Sequence, residues 1–256
     1  MIIFLEYILY FFIYSFLGWC CEVIYCSDFE KKEFVNRGML KGPVCPIYGV
    51  GSCILIFSIY RFSENILLVF FLGILITSII EYFTSFALEK LFNARWWNYS
   101  TYPLNINGRI CLLNSGMFGI MVVFLIRYVH KEIEGIISGI SDNTLFIVAI
   151  ILLVIFIYDF ICSVKKLRVF NSKLDEIRDL NIELKKYNIS LRDRLSGKHD
   201  FEFDKRKHDL KEKINKIKAS FKYEKRILKA FPRLEHKKYG EEVKSIRSYF
   251  RCKNKK

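Results

Sequence analysis

Five stretches of this chain are almost free of charge: 2–25, 44–60, 66–88, 110–126 and 144–164. A helix that crosses a bilayer needs about 20 apolar residues, with a range of roughly 17–25. All five fit, 44–60 and 110–126 at the short end. The sequence therefore predicts an all-α, polytopic membrane bundle of about five spans. The first stretch lacks a basic n-region, carries Glu6 and ends without a small-residue cleavage site, so it reads as an uncleaved span and not a signal peptide.

The charge is split between two parts of the chain. Residues 165–256 hold 30 Lys+Arg against 14 Asp+Glu, whereas residues 1–164 hold 10 against 12. The division predicts a membrane domain over 1–164, a coiled coil or helical hairpin over 165–231, and a basic, loosely ordered tail over 232–256. Basic residues collect on the cytoplasmic side of spans. That puts the tail inside and, with five spans, the N-terminus outside, in the cytoplasmic membrane. Loops 26–43 and 89–109 then fall inside. They hold seven basic residues, including Lys31, Lys32, Arg37, Arg95 and Arg109, against three in loops 61–65 and 127–143.

The eight cysteines form no C-x-x-C pair and no Cys/His spacing that suits zinc, so neither a disulfide framework nor a metal site is expected. No Walker A or G-x-G-x-x-G pattern occurs, and no cofactor is implied.

The membrane part has a weak parallel repeat. A shift of 70 carries residues 38–61 onto 108–131 without a gap, placing Gly38 on Gly108 and Gly49 on Gly119. Each block follows an Asn-bearing loop, Asn36-Arg37-Gly38 or Asn107-Gly108-Arg109. Each is preceded by a span with an acid near its end, Glu22 or Glu81.

In the tail, Leu167, Phe170, Leu174, Ile177, Asn181, Leu184, Asn188, Leu191 and Leu195 recur at alternating spacings of three and four. Asparagine at a seam position selects register. The pattern predicts a parallel homodimer through 167–195, with an intramolecular hairpin as the alternative. Ser196-Gly197 breaks the period. A second one runs from Leu210 to Phe231, and Pro232 closes it.

A carboxylate in hydrocarbon is expensive and normally faces protein or water. Glu22, Glu81 and Asp159 all fall near the cytoplasmic ends of their spans. Glu81 shares its helical face with Thr77, Ser78, Thr84 and Ser85. Asp159 is read as snorkelling or as pairing with Lys165 or Lys166. For Glu22 and Glu81, a structural ion pair with a loop arginine competes with a substrate or proton site. The amides of the glycine- and proline-rich loop 36–51 are placed to bind an anion. The stretch Arg95-Trp96-Trp97-Asn98-Tyr99-Ser100 fits either an interfacial aromatic anchor or the wall of a site. With Asn105, Asn107 and Arg109 it lies on the same side as Glu22, Asn36, Arg37 and Glu81. These residues together form the candidate polar site, open to the cytoplasm.

The motifs YSFLGWCCEVIY, FVNRGMLKGPVCPIYG, EYFTSFALEKLFNARWWNYS and PLNINGRICLLNSGMFG resemble the bacterial family called putative ABC-transporter type IV, or CmpB-like permease. The resemblance covers roughly residues 5–130. It implies a bacterial integral membrane protein and a transport role. In that family Asp is expected where Asn98 stands and Trp where Phe118 stands. No EAA-type coupling motif is recognisable, so a motor would be a separate ATPase chain.

Three functions compete on the sequence. The first is a transport subunit. The second is a scaffold or sensor carried by a dimeric basic coiled coil. The third is a membrane-embedded enzyme acting on a lipid. The basic tail suits anionic membrane lipids, and no nucleic-acid-binding motif is recognisable. No nucleophile pair or span histidine marks a catalytic residue.

Overall fold

A computed structural model describes residues 2–26, 35–193 and 201–253. Lys31, Lys32, Leu195 and Ser196-Gly197 lie outside the described residues, and nothing is described of the Asn188 and Leu191 side chains.

The apolar runs fold as helices. α1 (Ile2–Cys26), α3 (Ile66–Phe92) and α6 (Asp142–Asp193) each contain a stretch long and apolar enough to cross a membrane. The fourth such stretch is Leu112–Ser138. It comprises α4 (Leu112–Phe124), one π-helical turn over Leu125–Val129, and α5 (His130–Ser138). Most of the loop expected at 127–143 is therefore helix. The predicted second span, 44–60, is the shorter apolar helix Pro46–Phe62, about 25 Å long at 1.5 Å per residue. Its main part is α2 (Pro46–Ile59), which opens on Pro46, where a missing N–H costs no helical bond.

α1 packs on α2, and α3 packs on α4. The pairs meet through small residues aligned by the repeat. A Cβ at Gly49 would fall 2.1 Å from Ser15 Oγ, and one at Gly119 would fall 2.7 Å from Ile74. Gly38 and Gly108, the other aligned pair, both have positive φ, 124° and 66°, a conformation glycine adopts without a Cβ penalty.

α6 is one helix of 52 residues that leaves the bundle and carries the tail. We call this the tail end of the bundle. α7 (Phe201–Ser220), α8 (Lys222–Ala230) and α9 (Gly240–Lys253) fold back on it. The seam positions Leu167, Phe170, Leu174 and Ile177 are at most 4% exposed. They share a core with Phe221, Ile227, Val243 and Ile246. The first half of the seam, Leu167 to Ile177, therefore packs within this chain against the second apolar period. Residues 240–253, expected to be loosely ordered, are a helix with Ile246 fully buried.

Among the described residues, two small antiparallel pairs complete the fold. β2 (Asn105–Ile106) pairs with β3 (Ile110–Cys111) in the loop before α4. β1 (Ala94–Arg95) pairs with β4 (Glu235–His236), joining the loop after α3 to the tail.

Candidate functional site

The acids near the helix ends nucleate three adjoining groups. In the first, Glu22 of α1 accepts from Arg37 Nε at 3.1 Å and from the Tyr48 hydroxyl at 2.7 Å. Tyr48 reaches it because Gly18 faces its ring; a Cβ there would sit 2.2 Å from Tyr48 Cγ. Asn36 accepts from Trp19 Nε1 at 2.8 Å, which holds the same loop against α1.

In the second group, Glu81 is buried in α3 and accepts from the Tyr99 hydroxyl at 3.1 Å. Its other oxygen, Oε2, is buried without a hydrogen-bond partner. Glu81 also lies within electrostatic range of Glu22. Of the hydroxyls on its face, Ser78 bonds Ser115 at 2.9 Å, and Thr77 turns back to the Gly73 carbonyl at 2.7 Å.

The third group centres on Glu89, about two turns further along the same face of α3 and absent from the sequence-derived set. Its buried carboxylate meets Arg109 at 2.8 Å, Arg95 at 3.0 Å and Lys237 of the tail. Arg109 is itself buried, donates to Ser85 at 3.3 Å, and lies over the rings of Tyr82 and Phe86. Glu81, Ser85 and Glu89 recur every four residues, a periodicity that continues the stripe into the predicted loop.

The remaining candidates shape the loop. Asn98 accepts from the Ser100 amide and donates to Glu235 at 3.0 Å. Asn105 accepts from the Gly108 amide, and Asn107 donates to the Tyr82 hydroxyl. Trp97 donates to the Arg109 carbonyl. Trp96 is 4% exposed and packs edge-on against Phe231 and Phe92, with centroids 4.8 and 6.1 Å apart. Trp96 is therefore no bilayer anchor; it is part of the tail core.

Two further expectations are revised. The anion bound by the glycine-rich loop is the chain's own Asp159. It accepts from the Gly42 amide at 2.8 Å and the Lys41 amide at 3.3 Å, with Ser163 at 3.2 Å. The polar cluster is also covered at the tail end. Arg37 donates to the Ala230 carbonyl, and Arg226 donates to the carbonyls of Asn36, Gly38 and Met39. No sequence pattern marks these contacts, which join residues about 190 positions apart. Away from the bundle, His208, Asp209 and Glu212 gather on the exposed face of α7, where Lys216 already pairs with Glu212 at 2.7 Å.

A bundle of apolar helices with buried acids at one end defines a polytopic membrane protein. The model of the family described as "Putative ABC-transporter type IV" matches residues 9–164, and the chain belongs to that family. The match takes in the membrane part of α6, beyond the reach of the four motifs. No curated protein and no solved structure matches the chain.

Proposed function

We propose that the chain is the membrane-embedded subunit of a transporter and that its polar cluster is the solute site. One observation carries the proposal: Glu81 is buried within the membrane-length helix α3, with one carboxylate oxygen bonded to Tyr99 and the other left without a partner. An unpaired buried carboxylate costs stability, and polar groups retained in spans at that cost mark pathways for solutes or protons. Glu22, Arg37 and Tyr48 form a second wall. Asn36, Arg95, Trp96, Trp97, Asn98, Asn105, Asn107 and Arg109 support the loops that hold both walls. Membership of an ABC-transporter family supports a separate ATPase chain as the motor. The tail end is the cytoplasmic end in this reading, following the excess of Lys and Arg beyond residue 164.

The test is purification in mild detergent with crosslinking and mass spectrometry of co-purifying proteins and lipids, on wild type and Glu81→Gln. A stoichiometric ATPase is the expected result. A bound lipid that is lost in Glu81→Gln, with no ATPase, would replace transport by a lipid-directed function. Neither partner nor ligand would overturn the proposal and favour a scaffold.

A further inference from the structure

We infer that residues 230–237 form a strap that closes the tail end of the polar cluster, and that movement of this strap controls access to Glu22 and Glu81. The role of the site rests on the transport reading; the closure itself does not.

The strap connects α8 to α9 and touches both loops that build the site. On one side, the Arg37 guanidinium donates to the Ala230 carbonyl and lies 5.1 Å over the Phe231 ring. That guanidinium is the one that holds Glu22. On the other side, Ala94 pairs with His236 and Arg95 with Glu235. Glu235 accepts from Asn98 at 3.0 Å, and Arg233 donates to the Tyr102 hydroxyl at 3.4 Å. Tyr99 stands between Asn98 and Tyr102 and is the residue that reaches Glu81. The strap therefore holds in place the loop that puts a hydroxyl on the buried acid.

The attachments differ in kind. α8 and α9 are fastened to α6 through the apolar core. The strap meets the loops through a two-residue strand, single polar contacts and an apolar patch in which Leu234 and Phe231 pack with Phe92, Ala94 and Trp96, which sets the closed position. The exposed contacts Asn98–Glu235 and Arg233–Tyr102 contribute little to stability, so they are the attachments most easily released. The Lys237–Glu89 ion pair fastens its far end to α3.

Native thiols report the closure. Cys45 lies beside Arg37, with Sγ 3.8 Å from the Arg37 carbonyl, and Cys111 is buried at the foot of the Tyr99 loop. Cys53 lies further along α2, against the Tyr7 carbonyl, and Cys252 is exposed on α9. The experiment places the full-length protein in lipid nanodiscs and measures alkylation by N-ethylmaleimide at each cysteine by peptide mass spectrometry.

The variant Arg95→Cys/Glu235→Cys places a disulfide between strand partners, whose spacing suits one. Its oxidised form is expected to label at Cys45 and Cys111 at least tenfold more slowly than its reduced form, with Cys252 unchanged. Equal rates in the two forms would overturn the inference. The loosened variant Arg233→Ala/Glu235→Ala is expected to label at least tenfold faster than wild type at Cys45 and Cys111, with Cys53 unchanged. Unchanged rates at Cys45 and Cys111 would overturn it as well. A rise that includes Cys53 reports loss of the fold, and the oxidised-against-reduced comparison then decides alone. None of these rates depends on transport, so the strap and the transport reading fail separately.

Discussion

The Tyr99 hydroxyl donates to one oxygen of Glu81 at 3.1 Å and leaves the other oxygen buried without a partner. Tyr99→Phe removes that hydrogen bond and strands the whole carboxylate. A cost of about 1–3 kcal/mol is expected for leaving a buried acceptor unsatisfied. Glu81→Gln keeps an acceptor and removes the charge, so it should cost less. Thermal unfolding of the two single variants and the double variant measures the coupling. Additive effects would show that Tyr99 and Glu81 act independently.

Glu89 should be the most sensitive carboxylate for stability. It offsets Arg109, whose side chain is 9% exposed, together with Arg95 and Lys237. Breaking a buried pair by removing one partner costs about 3–5 kcal/mol, because the other charge stays buried. Glu89→Ala should therefore lower the unfolding midpoint more than Glu22→Ala, whose partner Arg37 is 21% exposed. Denaturant titration in detergent of both variants checks the order.

His236 predicts an acid sensitivity of the tail. Its Nδ1 accepts from the amides of Lys238 and Tyr239, so the ring proton sits on Nε2, facing the Asn171 carbonyl oxygen at 3.3 Å. Burial holds its pKa down at about 4, against a partial upward pull from Asp175; nearby Lys238 lowers it further. The unfolded histidine titrates near its ordinary value of about 6.5. The unfolded state thus binds the proton first. The contribution of neutral His236 is complete above about pH 6.5 and is lost as pH falls toward 4. Proteolysis of the tail should accelerate over that window. His236→Gln should flatten the pH dependence while weakening the tail at neutral pH.

Removing residues 165–256 is expected to damage the membrane domain itself. Phe92, Ala94 and Trp96 are buried against the tail core and would be uncovered. Size-exclusion chromatography of the truncated protein should show aggregation. Trp96→Ala in the full chain should cost about 3–5 kcal/mol, the range for a buried large aromatic. A monodisperse, stable truncation would show that the tail packs only loosely on the bundle.

Much of this was legible along the chain. Runs without charge locate the membrane helices because hydrocarbon tolerates few unpaired ions. The period of 70 is legible because Gly38 and Gly108 both need positive φ, and Gly49 and Gly119 both admit a neighbouring helix. Glu22 and Glu81 stand out because acids in apolar runs are costly. Glu89 was less visible. It sits where span and loop meet, and an acid beside Lys90 reads as solvated until Arg109 and Lys237 are seen to converge on it.

The tertiary structure decided what local composition leaves degenerate. An interfacial tryptophan and a core tryptophan look alike in sequence; Phe231, 135 residues after Trp96, makes the difference. A heptad seam serves a second chain or a second helix of the same chain equally well, and over Leu167 to Ile177 it is α8 and α9 that pack on it. The contacts of Ala230, Glu235 and Lys237 with the loops after α1 and α3 depend on α6 carrying the tail back over the bundle. The sequence by itself determined which segments must leave water and which charges could not be left alone. Which partners those charges found was decided only when segments far apart in the chain were packed together.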